Sequence, residues 1–472
     1  MPLRVPFGLP LGLRLGGRPL SALPDLAWAR SFWLSLAPYA YARAEDCAVI
    51  LPPNLVYKTN ATGVALLDFV AKGGRFEDIP GFDAAKAGQI EDFFLTLKAV
   101  YDGRPGAPRP AEAPPGASPG DGATGPLRGP ERVAYDFDFT RLPVLGEIAV
   151  TYRCNNRCRF CYAGCGGEAK ATSAEGELEL AGLRRVIDIF KHEAKIPFFS
   201  FTGGEPLIRP EIEELAAYAV SLGLRVNLVS NGTLATPERA RSLYAAGIKS
   251  AQISLEAPEA ALHDELCGRV GAFEETLTGI EALRSAGVSV QTNSTMTARN
   301  AEALMQLPAF ARKLGISRLS MNLFIPVGSG ASEGALVLPY EQAGGYVDRA
   351  RKAALAAGVD FFWYSPTPLC LYNPIARGLG NKSCAACDGL LSVAPDGGLL
   401  PCSSWPEPVG SLVEREFSEL WFSAAAQRLK HKEYAPDGCK ACASFTACQA
   451  ACPLYWEARG YGEIERFWKE RR

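Results

Sequence analysis

The sequence has no surplus of either charge: 49 lysines and arginines stand against 51 aspartates and glutamates, a net of −2. That balance provides no basic field and excludes nucleic acid as the main partner. Nor is there an uncharged apolar run of about 18 residues, so no segment reads as a membrane span and no membrane partner is expected. The stretch up to Trp33 is apolar in places, but Arg14, Arg18, Asp25 and Arg30 interrupt it, and no ordinary secretion signal is visible. What is there is a chain of 472 residues, 48% hydrophobic and 21% charged, with room for about three domains and too apolar for wholesale disorder.

Fourteen cysteines carry more information. Four lie from Cys154 to Cys165 and eight from Cys370 to Cys452; only Cys47 and Cys267 stand apart. A disulfide framework would spread them, and a large chain without a secretion signal points to a reducing, cytoplasmic setting. Clusters of this kind read as metal or iron–sulfur ligands.

Residues 105–131 are dense in Pro, Gly and Ala and read as a flexible linker. Before it, Ala48–Leu51 and Leu55–Tyr57 read as two strands joined by a turn at Pro52-Pro53-Asn54. Helical patterns follow from Asn60 to Gly73-Gly74 and from about Ala84 to Val100. After the linker, strands and helices alternate. The expected strands are Glu147–Tyr152, Pro197–Phe201, Arg225–Val229, Ala251–Leu255, Ser289–Thr295 and Arg318–Leu323. Gly247 and Gly315 sit at helix ends, and Thr236-Pro237 at a helix start. Alternation of this kind implies an α/β fold: a parallel sheet with outer helices, curled into a partial (β/α)6 barrel, with functional groups at the carboxyl ends of its strands. From about residue 365 the helices shorten, cysteines become frequent, and Asp396-Gly397 marks a hairpin. The expected division is therefore 1–104, a linker at 105–131, a barrel at 132–364 and a cysteine-rich domain at 365–472.

The sharpest motif is Cys154-Asn-Asn-Arg-Cys158-Arg-Phe-Cys161, directly after the first barrel strand. Three thiolates on one loop can hold three corners of a cubane and leave one iron open. The alternative is a structural zinc or a closed cluster with Cys165 as fourth ligand. This spacing, with Phe160 before the third cysteine, resembles the radical S-adenosylmethionine (SAM) enzymes. Thr202-Gly-Gly-Glu-Pro206 looks like that family's motif for the methionine amino group. The resemblance implies a [4Fe–4S] cluster on Cys154, Cys158 and Cys161. It also implies SAM contacts from Phe160, Gly203, Gly204, Glu205, Ser230, Asn231, Ser254, Glu256, Arg269 and Asn293. Asn231-Gly232 also reads as a plain turn and Asn293 as a capping residue, while His263 reads as structural. The chemistry implied is reductive cleavage of SAM and hydrogen abstraction by the resulting 5′-deoxyadenosyl radical, fed by a low-potential donor such as flavodoxin or ferredoxin.

Cys387-x9-Gly397-x4-Cys402 followed by Cys439-x2-Cys442-x5-Cys448-x3-Cys452 resembles the SPASM extension of these enzymes. By that resemblance Cys384, Cys387, Cys402 and Cys452 ligate one auxiliary cluster, and Cys439, Cys442 and Cys448 serve a second that lacks an obvious fourth ligand. Cys370, a carboxylate or an exchangeable group are the candidates, and structural zinc is the alternative for the region. Residues 47–101, above all Asn60-Ala-Thr-Gly-Val-Ala-Leu-Leu-Asp68, Gly73-Gly74 and Phe76-Glu-Asp-Ile79, resemble the small, winged-helix-like α+β domain that binds leader peptides in pyrroloquinoline quinone biosynthesis. Together these imply a maturase that modifies a ribosomal precursor peptide by thioether formation, carbon–carbon crosslinking, epimerisation or oxidative decarboxylation. Ser403 follows Cys402 where formylglycine-forming relatives carry an aspartate, which disfavours that outcome. A tetrapyrrole side-chain oxidase is the second enzymatic reading, and a non-catalytic zinc-ribbon scaffold the reading from another class. Tyr162 and Tyr364 are candidate site-lining groups, and no catalytic acid or base is assigned.

Overall fold

The structure, a computed structural model, describes residues 23–37, 40–51, 55–102, 126–131, 133, 135–165 and 174–470. The turn at 52–54 and residues 105–125 of the expected linker lie outside them. The chain forms two compact units, Met1–Arg141 and Leu142–Arg472.

In the first unit, helix α1 (Ala27–Leu36) precedes an antiparallel sheet ordered β1 (Tyr41–Arg43), β2 (Ala48–Leu51), β3 (Leu55–Lys58), followed by α2 (Ala61–Ala71) and α3 (Ala84–Tyr101). Asn60 and Asp83 start the two later helices, accepting from the backbone N–H of Gly63 at 3.0 Å and of Lys86 at 2.8 Å. α1 and β1 were not foreseen. Ala29, Trp33 and Leu36 bury one stripe of α1, and the Trp33 indole donates to the Leu67 carbonyl at 2.8 Å, yet no side chain caps the helix. With no cap signal, the interrupted apolar stretch gave no helix boundary.

The described residues from 126 to 141 make contacts within this unit. Glu131 pairs antiparallel with Lys58, and the Arg128 carbonyl accepts from the Thr59 hydroxyl at 2.5 Å. The Arg141 N–H donates to Asp46 at 3.1 Å. Asp46 also takes both prongs of the Arg43 fork, at 2.9 and 2.7 Å, with the two side chains 0% and 4% exposed.

The second unit is built on one ten-stranded sheet. Six strands follow the expected ones closely: β4 (Leu145–Thr151), β5 (Phe198–Gly203), β6 (Arg225–Ser230), β7 (Ser250–Ser254), β8 (Ser289–Met296) and β9 (Arg318–Leu323). All pair parallel in chain order. Helices α4 (Leu180–His192), α5 (Ile212–Ser221), α6 (Pro237–Ala245), α7 (Ala260–Cys267), α8 (Ala272–Ser285) and α9 (Leu307–Lys313) lie between or after them. Thr236 caps α6 with Pro237 in its first turn, and Gly247 and Gly315 take positive φ just past helix ends.

Two additions extend the sheet. After α10 (Tyr340–Ala357), strand β10 (Asp360–Trp363) joins β9 in parallel. At the opposite edge β11 (Leu390–Val393) pairs parallel with β4, and the hairpin to β12 (Gly398–Leu400) and β13 (Gly410–Ser411) continues the sheet. The cysteine-rich region is therefore woven into the barrel sheet, and its short helices α11 (Phe417–Trp421), α12 (Ala424–Lys430), α13 (Asp437–Lys440), α14 (Phe445–Cys448), α15 (Pro453–Arg459) and α16 (Gly462–Glu470) follow. No described helix is long and apolar enough to cross a membrane.

Replacing one partner of a buried ion pair strands the other charge, at a cost of about 3–5 kcal/mol. Asp46→Ala is therefore expected to lower the stability of the first unit by that amount in denaturant titration, while Asp68→Ala, whose partner Lys72 is exposed, changes it by less than about 1 kcal/mol.

Candidate active site and metal centres

The loop after β4 carries Cys154, Cys158 and Cys161, and its backbone is clasped from several sides. Gly204 N–H donates to Thr151 O at 2.8 Å and Glu205 N–H to Arg153 O at 2.9 Å. Arg157 and Arg159 donate to the carbonyls of Cys267 and Leu266 at 2.9 and 3.0 Å, and Ser329 donates to Cys161 O at 2.9 Å. Four contacts are so close that only glycine fits. A Cβ would meet Thr151 O at 2.2 Å from Gly203, Arg153 O at 2.2 Å from Gly204, Arg157 O at 2.3 Å from Gly268 and Tyr162 O at 2.2 Å from Gly328. Gly203, Gly268 and Gly328 also take positive φ, which other residues rarely adopt.

Side chains brace the same loop. Glu205 is fully buried, and its carboxylate accepts from Leu207 N–H at 3.0 Å, the Ser230 hydroxyl at 2.8 Å and Asn231 N–H at 2.8 Å. It thus ties the end of β5 to the end of β6. The Asn231 amide donates to Asn155 at 2.8 Å and approaches the Cys154 sulfur at 4.0 Å. Arg269 meets a carboxylate, but that of Glu275, at 3.0 and 2.7 Å, while its Nε donates to the Asn156 side chain at 2.7 Å. Phe160 packs against Leu266, Phe324 and Leu336. His263 is buried between Glu256 N–H at 3.2 Å and the Cys267 sulfur at 3.4 Å, a structural position.

The thiols are not equivalent. A hydrogen bond from Cys165 and three loop N–H groups outweigh burial at Cys161 and bring its pKa down to about 6. Burial pushes Cys154 up to about 12, and Cys158 is raised chiefly by its hydrogen bond to Cys267 and by burial. Cys154 lies within electrostatic range of both other thiols. Cys165 stands beside Cys161, the neighbour that the closed-site alternative invoked, and Cys267 stands beside Cys158, which sequence reasoning did not anticipate.

This donor set fits an iron–sulfur cluster. Three thiols share one loop, one already favours the thiolate, and a metal must displace the proton from the others. The Asn156 amide nitrogen, between Cys154 and Cys158, is buried without a hydrogen-bond partner, as expected of a donor kept for a bound group. Among the described residues no three His, Cys, Asp or Glu side chains converge at single-ion spacing, whereas a cubane sets its thiolates at separate corners.

Beneath the loop lies a polar sheet face. Ile148, Val150, Phe199, Phe201, Val226, Leu228, Ala251 and Ile253 pack against the helices. The alternate residues carry Glu147, Ser200, Thr202, Asn227, Gln252, Ser254, Gln291, Asn293, Ser320 and Ser392. Parallel sheets covered on both faces are apolar on both, so this alternation marks a face reserved for polar contents. Ser320 donates to Asn293 at 2.8 Å, and Gln291 donates to Ser320 at 2.9 Å and to the Tyr364 hydroxyl at 3.0 Å. Glu256, at the carboxyl end of β7, accepts from Thr295 N–H at 2.7 Å, and burial raises its carboxyl to about 7. Glu147, Tyr152, Tyr162, Thr202, Ser392 and Ser403 line a small cavity. The Ser392 hydroxyl donates to Glu147 at 3.0 Å.

The C-terminal cysteines sort into two groups by their mutual electrostatic interactions. Cys384 interacts with Cys387, Cys402 and Cys452. The amine of the buried Lys432, set against Ala386 O at 3.3 Å, offsets negative charge at Cys387. Cys370, Cys439, Cys442 and Cys448 interact among themselves. The divider is Cys448-Gln-Ala-Ala-Cys452. Residues four apart share one face of a right-handed helix. Here Gln449, Ala450 and Ala451 take φ of 55°, 56° and 61°. That left-handed turn costs about 1–2 kcal/mol per residue and sends the two thiols to different groups. The Trp456 indole holds it, donating to Ala450 O at 2.6 Å.

These features define a SAM-type barrel with appended cluster sites, and comparison with known proteins agrees. The radical SAM superfamily matches residues 148–325, and the SPASM iron–sulfur cluster-binding domain matches residues 384–443. An AdoMet-dependent heme synthase of Methanosarcina barkeri is 30% identical over 354 residues, 70% of this chain and 96% of that protein. A PqqA peptide cyclase of Methylocella silvestris is 24% identical over 311 residues, 63% of this chain and 80% of that one. In fold, the crystal structure of Streptococcus suis SuiB bound to precursor peptide SuiA is similar with a TM-score of 0.63 at 13% identity, covering 89% of this chain and 95% of that one. The chain belongs to the radical SAM superfamily, as a member with a SPASM domain. It is an enzyme whose cofactors are SAM, the [4Fe–4S] cluster that binds it, and auxiliary iron–sulfur clusters.

Gly204→Ala places a methyl group 2.2 Å from a loop carbonyl. It is expected to leave the helical content intact but to lower iron after anaerobic reconstitution by about four atoms per chain and to abolish SAM cleavage. Gly334→Ala, with nothing within 4 Å of its Cβ, is expected to match the parent in both measurements.

Proposed function

We propose that this enzyme modifies a ribosomally made precursor peptide, captured by the N-terminal unit and altered at an unactivated C–H bond over the polar sheet face. The observation that carries the reading is the short antiparallel sheet of the first unit. On its outer side β3 meets only Glu131, at Lys58, among the described residues, and Leu55 is 40% exposed. Such an edge takes an added strand from a peptide. The precursor-bound SuiB resemblance, which covers 89% of this chain, and the peptide-cyclase relative support it.

Within this reading Cys154, Cys158 and Cys161 would hold the SAM-binding cluster, and bound there the cluster and SAM supply the reducing electron and the hydrogen-abstracting radical. Gly203 and Gly204 set the loop's height, while Glu205 fixes Ser230 and Asn231 beside it. Arg269 holds the loop through Asn156 and therefore acts as a positioning residue. Ser254 and Glu256 stand at the carboxyl end of β7, where SAM would lie, Asn293 pairs in register with Ser254 from β8, and Phe160 backs the third cysteine. Cys384, Cys387, Cys402 and Cys452 would hold one auxiliary cluster, with Cys439, Cys442 and Cys448 contributing to the other. The electron comes from a small low-potential protein of the flavodoxin or ferredoxin kind.

A second reading, oxidation of a tetrapyrrole side chain, is favoured by the 30% identity to the heme synthase across 96% of that relative. That match covers 70% of this chain and leaves 30% for an additional task, which a peptide-binding unit supplies.

Deleting residues 1–141 is expected to leave reductive SAM cleavage within about twofold of the parent and to abolish binding of the precursor peptide, read by fluorescence anisotropy. Unchanged peptide affinity would refute capture by the N-terminal unit, and oxidation of a tetrapyrrole side chain by the parent chain with no peptide turnover would refute the peptide reading itself.

A further inference from the structure

We infer that Cys370 is the fourth thiolate of the second auxiliary cluster, closing the site that Cys439, Cys442 and Cys448 form from the other side. Cys370 lies on the segment that follows β10, at the start of the cysteine-rich run and 69 residues before Cys439. No cysteine occurs among residues 453–472. The fold brings this distant segment to the other three cysteines. The N–H of Leu369, the residue before Cys370, donates to the Cys448 sulfur at 3.3 Å. Cys370 packs, half-buried, on the same apolar cluster as Cys439, Ala450 and Ala451. It interacts electrostatically with Cys448 and Cys442, and Cys439 interacts with Cys370 in turn.

The neighbourhood shows further signs of a bound group. Gln449, next to Cys448, is wholly buried, and both its amide oxygen and nitrogen lack a hydrogen-bond partner. Leaving both unmade is costly, and such groups in native structures await an ion or ligand. The three-residue left-handed turn is a second cost that a bound cluster offsets. Each thiol loses its proton to solvent on ligation, and no oxidation step is involved. Four thiolates make this a closed site, suited to passing electrons rather than binding substrate, and therefore different in kind from the three-cysteine loop after β4. The inference rests on the presence of auxiliary clusters and is independent of whether the substrate is a peptide.

The test uses the full-length chain carrying Cys154→Ala, Cys158→Ala and Cys161→Ala, so that the loop after β4 contributes no cluster with an open corner. After anaerobic reconstitution, this background is expected to show no three-iron signal by low-temperature electron paramagnetic resonance. Adding Cys370→Ala is expected to produce that signal on mild oxidation, with about one iron lost per chain, and 2-mercaptoethanol is expected to suppress it by filling the open corner. Cys370→Ser keeps the size of the side chain and is expected to retain four irons with a shifted spectrum. A three-iron signal with Cys370 intact, or spectra unchanged in both Cys370 variants, overturns the assignment. Zinc instead of iron, or no iron lost on adding Cys439→Ala to the background, overturns the cluster reading of this region itself.

Discussion

The structure depends on one steric constraint: the backbone of the first cysteine loop lies against four glycine-only contacts. Gly203, Gly204, Gly268 and Gly328 come from three separate connections of the barrel. Each allows a carbonyl of the loop, or of the strand end before it, closer than any side chain permits. The loop is thereby held at the carboxyl ends of β4 and β5, and the positions of its thiols are set by main chain rather than by flexible side chains. Preorganisation of this kind matters for a site whose chemistry needs one iron corner left free, because a looser loop would let a neighbouring thiol swing in. Two such neighbours exist, Cys165 beside Cys161 and Cys267 beside Cys158.

Electrostatics divides labour among the cysteines. The first loop offers N–H groups and a thiol donor to Cys161, favouring negative sulfur before any metal arrives. In the C-terminal groups burial pushes Cys387, Cys439 and Cys452 up to about 12, as it does Cys154 in the first loop. Such thiols are quiet toward other partners and become ligands only when metal displaces the proton. A single left-handed turn between Cys448 and Cys452 separates what would otherwise be one ligand pair.

Much of this was legible in sequence, and the reasons differ by region. The six barrel strands alternate apolar and polar residues, so their positions were readable to within a residue or two. Asn60 and Thr236 are helix starts with visible chemistry. β10 was missed because Asp-Phe-Phe-Trp is four residues with no alternation to read. The attachment of β11 to β4 spans about 245 residues and has no local signature. The glycines of the Gly-Gly-Glu-Pro segment also make room for the cysteine loop, a second use that their spacing in sequence does not show. The protein partners of Glu205 and Arg269 lie on other loops and were equally invisible in sequence. Cys165 was readable as a neighbour of the loop from its spacing, whereas Cys267 gave no signal, because nothing in its spacing says which sulfur it will face. The auxiliary groups were separable only because a resemblance supplied the grouping, and the left-handed turn that accomplishes the separation contains no glycine to announce it.

In this enzyme one corner of the cluster after β4 is expected to stay free of protein ligands and to take SAM. Titrating the reduced, fully reconstituted chain with SAM while recording its low-temperature electron paramagnetic resonance tests this most directly. The signal of one cluster is expected to shift and to saturate at about one SAM per chain. A spectrum that SAM leaves unmoved, with Cys165 or Cys267 found on the fourth iron, would contradict it.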